Sequence, residues 1–257
     1  MWPGTRRFGC VLVHGFTATP EEVRPLGDGL AARGFPCRAV RLPGHGTSID
    51  DLARVGRAEW IATVERAVDV QASESGRVAL AGVSLGALLA AEIAATHRAQ
   101  VDALVLCAIP LAFADRRVPT LRWLAWLPGV RQRYAVLPKR TGGRDILDPE
   151  ARARSHAYET MPLPALLELF RLRAVVRRHL HRITQPTLAM HGRHDHTAPV
   201  GNLELLRRRL RTPWLETQVF ESSAHIITED QERDAVAARA ADFVGRVESK
   251  LATRDVR

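Results

Sequence analysis

A mostly parallel, doubly wound α/β sheet, interrupted once by a helical insertion, is the fold class this sequence predicts. Three observations carry it. Short runs rich in Val, Leu and Ala recur along the chain, amphipathic helical patterns lie between them, and one long stretch breaks the alternation. The runs FGCVLVHG, CRAVRL, RVALAGV, DALVLCAI, PTLAMHG and LETQVF end mostly in glycine, proline or polar residues, as strands buried on both faces of a parallel sheet do. Strands alternating with helices of this length imply crossovers on both faces.

The helices have readable starts. Thr19-Pro20-Glu21-Glu22 offers a capping box with proline at the first helical position, after which Val23, Leu26 and Leu30 recur at helical spacing until Gly34 stops the helix. Thr228 to Gln231 repeats the device before the last helix, where Val236, Ala240, Phe243, Val247 and Leu251 make one apolar face. From Phe113 to Arg182 no run reads as a strand, whereas LRWLAWL and LPALLELFRLRAVV have helical spacing. This stretch predicts a helical cap, so residues 113–182 form the insertion and residues 1–112 and 183–257 the α/β core. Trp123 and Trp126 in the cap are candidates for a wall of an apolar binding cavity, with packing of cap on sheet as the competing role.

Composition narrows the function classes. At 257 residues and 46% hydrophobic content the chain can bury one large core. The apolar runs are short, arginines recur between them, and Met1 to Gly15 lacks the pattern of a signal peptide, so a cytoplasmic protein is expected. Cys10, Cys37 and Cys107 each sit in a strand-like run without C-x-x-C spacing, which suits buried thiols. The net charge of +9 is carried almost wholly by arginine, Lys139 and Lys250 being the only lysines. These charges are spread along the chain without an aromatic-interleaved stripe or a nucleic-acid motif, so no nucleic-acid partner is expected.

The most informative motif is Gly82-Val83-Ser84-Leu85-Gly86, where a buried strand gives way to an alanine-rich helix. G-x-S-x-G in that context is a nucleophile elbow, tight enough to require small residues two before and two after the serine. A serine hydroxyl needs a base, and the base needs an orienting carboxylate. Asp195 follows one later strand and His225 the next, giving the order Ser, Asp, His. His191, His194 and His196 around Asp195 suggest a metallohydrolase cluster, but Arg193 stands where that pattern needs a histidine, so no metal is expected. Glu221 shares the loop of the base and is a poor substitute for Asp195. The oxyanion donors should be the N–H of Leu85 and, from the loop after the first strand, that of Phe16; His14 reads as a structural partner in that loop.

The segments LVHGFTATPEEVRPLG, RLPGHGT, GVSLG, HAYETMPLPALLELFRL, DHTAPVGN and AHIITEDQ together resemble the bacterial monoacylglycerol lipases and related small carboxylesterases of the α/β-hydrolase fold. The resemblance runs from about Cys10 to Phe243 and implies an α/β-hydrolase fold with an inserted helical cap and hydrolysis of fatty-acid esters through an acyl-enzyme, with no cofactor. By position it implies Ser84, Asp195 and His225 as the triad and Phe16 and Leu85 as oxyanion donors; Ile226, next to the candidate base, joins Trp123 and Trp126 as a candidate substrate contact. Two departures stand out: Ala87 follows the elbow where many relatives have glycine, and Ser155 falls near the place of an acidic residue that contacts glycerol in the monoglyceride lipases. Acyl transfer or perhydrolysis by the same triad, or a non-catalytic binding protein on this scaffold, are the alternatives. The expected partner is a small, lipid-derived ester, and the cap leaves room for transient contact with a membrane or lipid surface.

Overall fold

The computed structural model describes residues 1–96, 100–114, 135–139 and 144–255. Six strands form the central sheet: β1 (Phe8–Val13), β2 (Cys37–Val40), β3 (Arg77–Val83), β4 (Ala103–Cys107), β7 (Thr187–Gly192) and β8 (Leu215–Phe220). Their order is β2-β1-β3-β4-β7-β8, and every neighbouring pair is parallel. All six apolar runs singled out in the sequence are therefore strands of one sheet. Trp2 adds an isolated antiparallel bridge to Cys37 at the β2 edge.

The pleat sends alternate residues to opposite faces. Val11, Val13, Val78, Leu80, Leu104 and Leu106 share a core with α3 (Arg57–Ser75) and α4 (Leu85–Thr96). Cys10, Leu12, Ala79, Ala81, Val105 and Met190 share the other with α1 (Arg24–Ala31) and α8 (Arg233–Asp255). Short helices α2 (Ile49–Arg54) and α7 (Asn202–Arg209) complete the crossovers. The three cysteines are buried and free. No described helix is long and apolar enough to cross a membrane.

Between β4 and β7 the described residues hold the helices α5 (Pro149–Arg154) and α6 (Leu163–His179). They also hold two strands that sequence reading missed, β5 (Val136–Pro138) and β6 (Thr160–Pro162), paired antiparallel. Three residues each and a proline in both leave no alternation to read. Nor does α6 merely lie over the sheet: Leu163, Leu166, Leu169, Phe170, Leu172 and Val176 join the main core. Trp123 and Trp126 lie outside the described residues.

Both expected capping boxes are corrected. Thr19 makes no side-chain cap bond, Pro20–Val23 is a 3-10 turn, and the Glu22 carboxylate faces inward to accept the Gly15 N–H. Thr228 does not open α8, which begins at Arg233. The acidic residues there close the preceding loop instead: Asp230 accepts the N–H groups of Ala224, Leu147 and Asp148, while Glu232 accepts those of Ser222 and the Ser223 hydroxyl. In both cases a buried loop amide has no water to turn to, whereas an exposed helix start does.

Candidate active site

Ser84 stands on the turn between β3 and α4 with φ +52, a left-handed conformation rare for a residue with a Cβ. Its N–H is held by the Cys107 carbonyl at 3.0 Å. The glycines of the motif answer to close backbone packing: a Cβ on Gly82 would lie 2.2 Å from the Gly86 carbonyl carbon, and one on Gly86 would lie 2.1 Å from the Val13 carbonyl oxygen. Gly86→Ala is accordingly expected to cost more than about 3 kcal/mol, because backbone must move on both sides. Chemical denaturation measures it, and a variant of native stability would show that the turn can relax.

His225 follows β8 in the loop pinned by Asp230. Its Nε2 lies 2.9 Å from Ser84 Oγ and its Nδ1 2.7 Å from Asp195 Oδ2. The other carboxylate oxygen of Asp195 accepts the N–H groups of Thr197 at 2.9 Å and Ala198 at 2.7 Å. Burial pushes the Asp195 carboxyl up, but the charge of His225 and hydrogen bonds from His191 and His225 outweigh it and hold the group below the ordinary carboxylate range. Burial opposes protonation of His225, yet the facing charge and hydrogen bond of Asp195 leave its pKa raised. Such a pair keeps Nδ1–H directed at the carboxylate and leaves Nε2 as acceptor for a serine proton.

Sequence reading missed His191 as a support for Asp195. Its Nε2 lies 3.0 Å from Asp195 Oδ2 and 2.8 Å from the Ala198 carbonyl, two acceptors that require Nε2 to carry the hydrogen. The signal was a histidine inside an otherwise apolar strand. His196 instead pairs with Asp145 at 3.1 Å, and Glu221 pairs with Arg193 at 2.7 Å on the surface.

Phe16 lies in the loop after β1 and Leu85 opens α4; neither N–H has an acceptor among the described residues. His14 fixes the Phe16 loop, accepting the Leu42 N–H at Nε2 and donating from Nδ1 to the Gly15 carbonyl. Burial and the neighbouring His45 push its pKa down to about 3, so it stays neutral. Phe16, His45 and the buried Trp60 pack edge to face beside it. From the insertion, Tyr158 donates its N–H to the Thr17 carbonyl and accepts the Thr47 N–H at its hydroxyl.

Ser84, Asp195 and His225 line a cavity of about 790 Å³. Phe113, Leu137, Met161, Leu166, Leu169 and Phe170 give it an apolar wall, and Glu22, Lys139, Arg144 and Ser155 a polar one. Ile226 also lines it, with its N–H held by the Asp145 carbonyl.

A serine after β3, a carboxylate after β7 and a histidine after β8, all at the carboxyl ends of parallel strands, is how α/β-hydrolases arrange these groups, and fold and site place the protein in that class. Residues 5–232 match the model of the family described as serine aminopeptidase, S33, and the chain belongs to that family. It is 29% identical over 238 residues to the thermostable monoacylglycerol lipase of Bacillus sp. (strain H-257), covering 93% of this chain and 90% of that one. A carboxylesterase of Bacillus subtilis (strain 168) is 28% identical over 239 residues, covering 93% and 92%. Among solved structures, one of the metagenome-derived lipolytic enzymes described together as LipS and LipT superposes with a TM-score of 0.86 at 26% identity, covering 96% of each chain.

Proposed function

We propose that the protein is a carboxylic ester hydrolase acting on fatty-acid esters, monoacylglycerols first among them, through an acyl-enzyme on Ser84. Ser84 Oγ attacks the ester carbonyl while His225 Nε2 takes its proton, and Asp195 fixes the tautomer and stabilises the imidazolium. The N–H groups of Phe16 and Leu85 receive the oxyanion. His225 then protonates the departing alcohol, and water repeats the sequence to release the acid. Residues 113–182 act as a cap over the core of 1–112 and 183–257, with the acyl chain along Phe113, Leu166, Leu169 and Phe170.

The observation that carries this reading is a serine hydrogen-bonded to a carboxylate-paired histidine on the floor of a cavity with an extended apolar wall. The family's description speaks of peptide hydrolysis, but relatives aligned over nearly the whole chain are lipases and esterases, and that wall suits an acyl chain.

The test is hydrolysis of a p-nitrophenyl ester series, of 1-monoacylglycerols and of aminoacyl p-nitroanilides by the native protein. Turnover of monoacylglycerol with none of the anilides supports the proposal. Turnover of the anilides alone would overturn it, and activity confined to short artificial esters would remove the lipid substrate. Leu169→Trp should lower kcat/KM for long acyl chains about tenfold or more while changing short esters less than about threefold, because added volume at the wall excludes the chain end. Equal losses at all lengths would place the acyl chain elsewhere.

A further inference from the structure

The carboxyl of Glu22 lies against the reaction centre without belonging to the Ser84, His225 and Asp195 relay. The residue is only 6% exposed, lines the cavity, and accepts the Gly15 N–H at Oε2 across 2.5 Å. The Cβ position of Gly15 would lie 3.0 and 3.3 Å from the two Glu22 carboxylate oxygens and 3.4 Å from Ser84 Cβ. Gly15 is thus the thickness of the wall between carboxyl and nucleophile.

Two consequences follow from that position. The first is geometric. Glu22 holds the Gly15 N–H, while His14 Nδ1 and the Ala18 N–H both donate to the Gly15 carbonyl. Two successive peptides are therefore held: Glu22 anchors the His14–Gly15 peptide at its N–H, and the Gly15–Phe16 peptide, whose N–H belongs to Phe16, is anchored at its carbonyl. The second is electrostatic. The titratable groups that act on Glu22 or feel it are His225 after β8, Lys139 after β5, Cys107 at the end of β4 and Glu229 before α8. Burial lifts the Glu22 carboxyl to about 7, against the Gly15 N–H and the charges of His225 and Lys139. Its charge in turn is one of the influences raising His225.

We propose that Glu22 is a positioning residue of the ester-hydrolysing site, holding the Gly15–Phe16 turn in its oxyanion-binding geometry and acting through its charge on His225. This rests on the function proposed above. Glutamine is the informative replacement: its side-chain oxygen can still accept the Gly15 N–H, but it has no charge. Alanine removes both. A carboxylate near His225 favours the imidazolium, so its removal lowers the pH at which His225 becomes neutral and able to take the serine proton.

The experiment compares Glu22→Gln, Glu22→Ala and native protein in kcat, KM and pH profile on a soluble p-nitrophenyl ester, with thermal stability recorded alongside. In a Ser84→Ala background, NMR titration of the His225 imidazole is compared with and without Glu22→Gln. Glu22→Gln should keep kcat within about threefold at its optimum and move both the acid limb and the imidazole midpoint to lower pH. Glu22→Ala should lower kcat about ten- to a hundredfold with KM little changed, the range expected when an oxyanion donor is misplaced rather than deleted. An unmoved midpoint and acid limb in Glu22→Gln, a native kcat in Glu22→Ala, or losses in both variants that merely track stability would overturn the proposal. If the native protein hydrolyses no ester, the functional reading fails on its own, and the imidazole titration still decides the link between Glu22 and His225.

Discussion

Ser84→Ala is expected to lower kcat/KM on p-nitrophenyl and monoacylglycerol esters by about 10⁴-fold or more, with the fold retained. Nothing else facing His225 Nε2 at hydrogen-bond distance among the described residues can take over as nucleophile. The substitution keeps a Cβ at the left-handed turn, where φ is +52, so the strain of the elbow is unchanged. What is lost is one hydrogen bond to His225, about 1 kcal/mol, or a few degrees in Tm for a chain of this size. Steady-state kinetics with thermal unfolding on the same preparation checks both halves. Residual activity within a hundredfold of native would remove Ser84 from the chemistry, whereas an unfolded variant would show that the hydroxyl is structural.

Asp195→Asn should be nearly as damaging to turnover, by about 10³ to 10⁴-fold in kcat, for a reason that lies in the tautomer of His225. Oδ1 of Asp195 is committed to the N–H groups of Thr197 and Ala198, so the oxygen of asparagine stays there and its NH₂ group faces His225. His225 Nδ1 must then accept, its hydrogen moves to Nε2, and Nε2 donates to Ser84 when it should receive. The pH profile carries a second sign. Asp195 raises the pKa of His225, so activity in the native protein falls as pH drops through that raised value. With the charge removed, the remaining activity should persist to lower pH. A kcat within tenfold of native, or an acid limb that does not move down, would show that Asp195 neither orients nor charges His225.

Much of this was legible in the sequence because it depends on local pattern. Every run chosen as a strand is one: β1, β3, β4 and β7 are buried along nearly their whole length and mostly apolar, as strands covered on both faces must be, whereas β2 and β8 at the sheet edges are half-buried and mix polar with apolar residues. The elbow was legible because only glycine fits where its backbone meets Val13 and crosses itself. That Asp195 and His225 each follow a strand was legible too, and the structure brings both into one hydrogen-bonded chain with Ser84.

Charged and polar groups were harder to read than apolar ones. Glu21 and Glu22 are adjacent and alike in sequence, yet Glu21 pairs with Arg24 on the surface while Glu22 is buried under the Gly15–Phe16 loop. Thr228 matched a capping pattern, but nearby Asp230 had the buried Ala224 amide to satisfy. His191 was one histidine among several until β7 brought it against Asp195.

By itself, then, the sequence determined the strands, the crossover pattern, the strained serine and the chain order of its partners, because spacing and side-chain size act over a few residues. Only the tertiary structure decided which carboxylates face the site, how α6 joins the main core, and which ring nitrogen of His14, His191 and His225 carries the hydrogen. Those choices turn on the scarcity of water around buried amides and charges, and that scarcity exists only once distant segments have packed together.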